Sequence, residues 1–189
     1  MNIVQVGCHL GSDHVYDYLS KNSYNLAILI DANPYAIDVC KKQYEGLKNI
    51  VFLNYAIVPN IVEPNIKFFI PKNDLTSAHC STSLDFIQKH NHSQWIEQNI
   101  PCSTLTNIFQ EYRLKTIDKL YIDAEGLDTQ IILALDLVSI DIKYIYFEHI
   151  HADGAFNRSH NLLNTINKLQ QYGYTQTEQD LYNLGFRKI

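Results

Sequence analysis

Acids, a glycine and a histidine stand where short apolar runs stop. Ile3–Val6 runs into Gly7 and Cys8, and Leu26–Ile30 into Asp31. Lys119–Ile122 runs into Asp123, with Glu125 two residues on, and Ile142–Phe147 into Glu148 and His149. Such β-branched and aromatic runs read as buried strands. The carboxyl ends of parallel strands share one rim of a sheet, so these residues are expected to converge there. Carboxylates gathered beside a cleft can take a proton, accept hydrogen bonds from sugar hydroxyls or hold a hard cation. A solvated strand end is the ordinary alternative for each one taken alone.

The first of these ends narrows the ligand. Gly7-x-x-x-Gly11 is a glycine turn between a strand and a helix over Val15–Ser20, which Asp13 can cap. A dinucleotide site needs G-x-G-x-x-G, and a P-loop needs Lys and Ser or Thr after its last glycine; neither is present. S-adenosylmethionine, which has no phosphate to cradle, is the remaining common reading, with a plain strand-to-helix turn as its rival. Asp31 lies 24 residues after Gly7, where an acid in nucleoside-binding α/β folds accepts from both ribose hydroxyls. The cofactor contacts expected of this rim are Gln5, Gly7, Cys8, Gly11, Asp31, Ala32, Asn54 and Asp123.

Strands at Ile3–Val6, Leu26–Asp31 and Ile50–Asn54 alternate with helices, the second opened by Asn33-Pro34 and carrying Ala36, Ile37, Cys40 and Tyr44 on one face. That rhythm predicts a parallel sheet with right-handed crossovers. A short strand over Ile66–Ile70 and an irregular one over Trp95–Cys102 are expected to pair at a sheet edge. Between them, residues 72–93 form a long polar loop with one helical turn near Leu84–Gln88, of the kind that is usually functional. Thr104 caps a helix to Tyr112. Strands Lys119–Asp123 and Ile142–Glu148 flank a helix over Asp128–Leu135. Leu162, Leu163, Ile166 and Leu169 predict one face of a last helix. Gly173 ends it, and Tyr174–Glu178 with Tyr182–Arg187 make a terminal antiparallel pair.

Composition bounds the partners. The 189 residues are 46% hydrophobic and 19% charged, enough for one domain, 1–189, with a sizeable core. The net charge of -5, with arginine only at positions 113, 158 and 187, argues against nucleic acid as a partner. No apolar run is long enough for a bilayer, no leader segment precedes the first strand, and the four cysteines lack C-x-x-C spacing. A reduced, cytoplasmic protein is expected.

Ile117-Asp118-Lys119-Leu120-Tyr121-Ile122-Asp123-Ala124-Glu125-Gly126 is close to the pattern I-D-x-x-K-I-D-V-E-G, and Ile100-Pro101-Cys102-Ser103-Thr104-Leu105 before it to the pattern V-P-V-x-T-L. In both segments the chain resembles the FkbM family of S-adenosylmethionine-dependent methyltransferases. The serines of 77–83 fall where members carry a serine-glycine loop, and Phe147-Glu148 matches the acid of the next strand. The sequence departs at the first motif, usually D-x-G-A-N-x-G: Gln5 replaces the acid and Cys8-His9 replaces Ala-Asn. Tyr121 replaces a lysine, and Leu127-Asp128 a small residue and Glu.

The resemblance implies a class I methyltransferase fold, an α/β three-layer sandwich with a mostly parallel seven-stranded sheet and an antiparallel last strand. It implies methyl transfer to a hydroxyl of a sugar, glycan or other small molecule. The proton of a weakly acidic hydroxyl must then go to a base or be made more acidic by a metal. Asp123, Glu148 and His149 are the catalytic candidates, and Asp123, Glu125, Glu148 and His151 the candidates for a divalent metal; Glu125 is alternatively a cap for the helix after it. A binding module without activity is the rival from another class. A third reading is a metal-dependent hydrolase: His149-x-His151-x-Asp153 begins like the H-x-H-x-D-H of binuclear sites, with both rings on one side of an extended chain and Gly154 where the last His would stand. His14, His79, His90, His92 and His160 are read as surface residues.

Overall fold

The computed structural model describes residues 1–152, 154–158 and 160–189. Along the chain come β1 (Asn2–Val6), α1 (His14–Lys21), β2 (Leu26–Ile30), α2 (Pro34–Gln43), β3 (Ile50–Leu53), β4 (Ala56–Ile57), β5 (Asn65–Pro71) and α3 (Leu84–Lys89). They are followed by β6 (Trp95–Ser103), α4 (Leu105–Glu111), β7 (Thr116–Ile117), β8 (Lys119–Ile122), α5 (Asp128–Ala134), β9 (Asp141–Ile142), β10 (Tyr144–Glu148), α6 (His160–Gln171), β11 (Tyr174–Gln179) and β12 (Asn183–Lys188). Seven strands form the expected sheet in the order β11-β12-β10-β8-β1-β2-β3. Val4 sits opposite Ile28 on one side and Leu120 on the other, in parallel register. β12 runs antiparallel to β10, pairing Phe186 with Ile145.

Strand alternation splits the apolar residues between two faces. Val4, Val6, Ile28, Ile30, Leu120, Ile122, Ile145 and Phe147 share one core cluster with α4 and α5 residues. Ile3, Ala27, Leu29 and Tyr121 share the other with α1 and α2 residues. α1, α2 and α4 start where a side chain satisfies their free N–H groups. Asp13 Oδ1 accepts from the Val15 and Tyr16 amides, Asn33 Oδ1 from Tyr35 and Ala36, and Thr104 Oγ1 from Asn107. At the other end of α5, Lys168 Nζ donates to the carbonyls of Ile132, Leu133 and Leu135, a cation against the negative helix terminus.

Four expectations change. The pair β5–β6 forms, but in a separate three-stranded sheet with β4, order β4-β6-β5, not on the edge of the main sheet. The run Ile142–Glu148 is broken at Lys143, so β9 pairs with β7 while β10 joins the main sheet. Leu163 lies off the buried face of α6 and is 57% exposed. Leu162 and Ile166 pack on the core with buried Thr165 and Leu169, and at about 100° per residue Leu163 falls outside that stripe. Asp128, not Glu125, occupies the start of α5: its carboxyl accepts from the amides of Ala124 (3.0 Å) and Gly126 (3.3 Å). Among the described residues no helix is long and apolar enough to cross a membrane.

Candidate functional site

The ends of β1, β2 and β8 meet at a solvent-open cleft, which the long polar loop and the start of the three-stranded sheet also line. Gly7 forms its floor. The Gly7 and Cys8 amides both donate to the Ile30 carbonyl, folding the turn back over β2. Gly7 has φ +75°, and any β-carbon there would overlap the Asp123 carbonyl oxygen, so glycine is required twice over. Asp31 is pinned by two backbone donors: His9 N–H to Oδ2 (2.7 Å) and Asn33 N–H to Oδ1 (2.8 Å). Burial raises its pKa, and those two bonds pull it back. A carboxylate oxygen accepts more than one bond, so both keep capacity for ribose hydroxyls.

The long polar loop supplies the opposite wall through Ser77, Ala78, Cys80, Ser81 and Thr82. It is latched in three places. His9 Nε2 meets the Thr76 carbonyl at 2.7 Å, Asn33 Nδ2 donates to the Leu75 carbonyl at 2.8 Å, and Ser81 Oγ donates to the Glu125 carbonyl at 3.3 Å. His9 and Asn33 therefore line the cleft and hold its wall, a role that the residue types in the glycine turn did not announce. His9 stands in the left-handed region (φ 45°), between the two glycines, and that position was the available signal.

Of the residues singled out from sequence, Gly7, Asp31, Ala32, Asp123 and Glu125 line the cleft. Gln5, Cys8, Gly11, Asn54, Glu148, His149 and His151 are not among its lining residues. Gln5 is buried and donates through Nε2 to Asp13 Oδ2 (2.6 Å), bracing the cap of α1. Cys8 is fully buried; its hydrogen bond with the Cys40 thiol and its burial raise its pKa. Gly11 packs so closely on Tyr44 and Cys40 that a β-carbon would lie 2.6 and 2.7 Å from them. Asn54 Nδ2 donates to the carbonyls of Asp31 (2.8 Å) and Ala32 (3.0 Å), so it braces the turn after β2.

His149 and His151 part company because the chain turns after β10 instead of running on extended. The Ala152 amide returns to the His149 carbonyl. The His149 ring Nε2 lies 3.4 Å from the Asp180 carbonyl, in the β11–β12 turn. His151 packs edge-on to Phe86 and His90. This breaks the arrangement that the hydrolase reading requires, and Asp153 lies outside the described residues. His14 and His160 are exposed as expected. His79, His90 and His92 are half-buried instead: His79 and His90 stack at 4.3 Å, and His79 Nδ1 meets His92 Nε2 at 3.1 Å.

Four carboxyl groups crowd this end of the sheet. Water reaches Asp123 through the cleft mouth, yet the surrounding protein and then the charges of Asp128, Asp31 and Asp13 push its pKa up to about 7. Burial, then Asp123, Glu148 and Asp128, raise Glu125 well above its ordinary value. Burial and the charges of Asp123 and Asp128 push Glu148 up to about 9. Burial lifts Asp128 to about 6, its backbone donors holding it down. Burial, then the nearby His90, His79 and Arg158, lower His151 to about 4. A carboxylate poised near neutrality at a cleft wall suits a general base.

A family model described as Methyltransferase FkbM domain matches residues 5–175. No curated protein matches the chain in sequence. Among solved structures, the human methyltransferase 10 domain containing protein aligns with a TM-score of 0.51 at 11% identity, covering 100% of this chain and 72% of that one. A chain of the fibrillarin/Nop5p complex aligns with a TM-score of 0.51 at 8% identity, again over 100% and 72%. M. capricolum TrmK in complex with S-adenosyl-homocysteine aligns with a TM-score of 0.46 at 14% identity. The chain is covered completely there but spans 62% of that protein, less than two thirds of its length. The likeness is one of fold, that of the class I methyltransferases.

Proposed function

The chain belongs to the FkbM methyltransferase domain family, whose members are S-adenosylmethionine-dependent methyltransferases, and from that premise we propose that it methylates a hydroxyl oxygen of a small molecule or glycan. The Gly7 turn and the 77–82 wall would hold S-adenosylmethionine in the cleft between them: Asp31 would accept from its ribose hydroxyls, and Ile57 and Phe68 offer the apolar lining that an adenine ring needs. The observation that carries the reading is the placement of Asp123: its carboxyl group stands at the cleft wall, and its backbone carbonyl packs directly against the Gly7 turn.

The chemistry asked of these residues is an in-line displacement. An acceptor oxygen forms a bond to the methyl carbon as the carbon–sulfur bond breaks, and the electron pair leaves with sulfur. Holding oxygen and methyl aligned supplies much of the rate. Asp123 takes the hydroxyl proton as the oxygen becomes bonded, which it does best in its ionised form. Gln5, standing where the family's first motif has an acid, does not strip this corner of charge. It hydrogen-bonds Asp13, and a second carboxylate in its place would face Asp13 with like charge.

The test is methyl transfer from labelled S-adenosylmethionine to a panel of sugar, glycan and small hydroxyl acceptors, beside calorimetry with S-adenosylmethionine and S-adenosylhomocysteine. Saturable heat with label in an oxygen ether supports the reading. No heat with either ligand on folded protein overturns it.

A further inference from the structure

Beside the cleft, Glu125, Glu148 and His151 bring one potential ligand atom each to within 4.8 Å of the other two. Glu125 comes from the turn after β8, where it has φ 48°. Glu148 closes β10, and His151 comes from the turn that follows it. The His151 Nε2–Glu148 Oε1 distance is 4.0 Å, and their side chains are 8% and 12% exposed. Glu148 Oε2 is buried without a hydrogen-bond partner. An acceptor oxygen left bare in the interior is destabilising, and more so when charged, so a donor or a cation belongs there.

Protein cations do not fill that place. Among the described residues no Lys or Arg lies within ion-pair distance of Glu125 or Glu148. Arg158, whose charge acts on Glu148, donates through Nη2 to the Leu181 carbonyl. Phe86, His90 and Phe156 surround the ring of the third donor, and the Phe156 amide donates to its Nδ1 at 2.9 Å.

We propose that Glu125, Glu148 and His151 form a binding site for a divalent cation of the Mn²⁺ type. Two carboxylates and one imidazole make a mixed oxygen and nitrogen set, harder than a zinc thiolate site and softer than an all-oxygen calcium cage. Three protein donors leave positions for water or for an oxygen of a bound molecule. Since Glu125 also lines the cleft, those positions border it. Entry of the ion has one local cost. With Nδ1 accepting from Phe156, the neutral ring carries its proton on Nε2; ligation through Nε2 moves that proton to Nδ1 and releases the Phe156 amide. The cation site stands on these residues alone and does not depend on the methyl-transfer reading.

The experiment is a titration of chelator-stripped protein with MnCl₂, followed by electron paramagnetic resonance, without methyl donor. One bound Mn²⁺ per chain is expected, with a thermal midpoint that rises with Mn²⁺ concentration. Glu148→Gln and His151→Gln, which keep polar side chains of similar reach, are each expected to weaken binding by roughly tenfold or more. No bound Mn²⁺ on the folded wild-type chain, or binding that neither substitution weakens, overturns the site. Calorimetry with S-adenosylhomocysteine on the same preparation separates the two readings: heat from that ligand without Mn²⁺ binding removes the cation and leaves the methyltransferase, and the converse does the reverse.

Discussion

The α-carbon of Gly7 lies so close to the Asp123 carbonyl that no β-carbon fits between them. The turn expected to hold the cofactor and the acid expected to take the proton are thus in backbone contact across β1 and β8. The Asp123 amide completes the link by donating to the Val6 carbonyl at 3.0 Å.

Gly7→Ala is accordingly expected to separate these two groups. It meets both the left-handed backbone and the Asp123 carbonyl, so urea unfolding should show a loss above the roughly 1–2 kcal/mol of the backbone conformation alone. Gly46→Ala is the control, because Gly46 also has positive φ but has no atom within 4 Å of its added β-carbon. Equal losses for the two would refute the close-approach account.

Asp31→Ala should weaken S-adenosylhomocysteine binding by about 1–3 kcal/mol, measured by calorimetry. It also leaves the His9 and Asn33 amides without their acceptor, so stability should fall as well. Unchanged affinity would remove Asp31 from the ribose.

The latch predicts mobility. His9→Ala removes the bond to the Thr76 carbonyl, and hydrogen exchange across residues 72–83 should speed up by the equivalent of about 0.5–1.5 kcal/mol. Wild-type exchange rates in that stretch would show that Asn33 and Ser81 suffice to hold the wall.

Stability should decline with rising pH in chelator-treated protein. Asp128 and Asp123 have pKa values raised in the folded state, to about 6 and about 7, above the ordinary aspartate value of about 4. Between about pH 4 and pH 7 the native state therefore binds more protons than the unfolded chain, and unfolding free energy falls as pH rises. Their protonated-state stability is fully present below the unfolded pKa and lost through the folded one. Thermal midpoints measured across that window should drop, and Asp123→Asn should flatten the upper half of the slope. A midpoint that climbs through the window would contradict the crowding of these acids.

Much of this was legible in the sequence, and for identifiable reasons. Runs such as Leu26–Ile30 are too apolar and too short to be anything but strands buried on both faces, and Asp13, Asn33 and Thr104 are caps wherever a helix follows them. Lys143 was not legible as a break, because its neighbours are as β-prone as the rest. It stands between β9 and β10, with its side chain paired to Asp118 at 2.8 Å. The separation of His149 from His151 was not legible because nothing local marks the turn after β10. Gln5, Cys8 and Gly11 carry motif positions, yet they serve the cap and the packing beneath the turn rather than the cleft. The latch made by His9 was not legible because its partner, Thr76, is 67 residues away.

Comparison of wild-type chain and Asp123→Asn in transfer of a labelled methyl group from S-adenosylmethionine, on whichever hydroxyl acceptor the panel identifies, tests the central claim most directly. The substitution keeps the size of the side chain and the fold while removing the base. The account predicts turnover lower by about a hundred- to ten-thousand-fold, with S-adenosylhomocysteine affinity retained. A folded Asp123→Asn variant that methylates the same oxygen at the wild-type rate would contradict it.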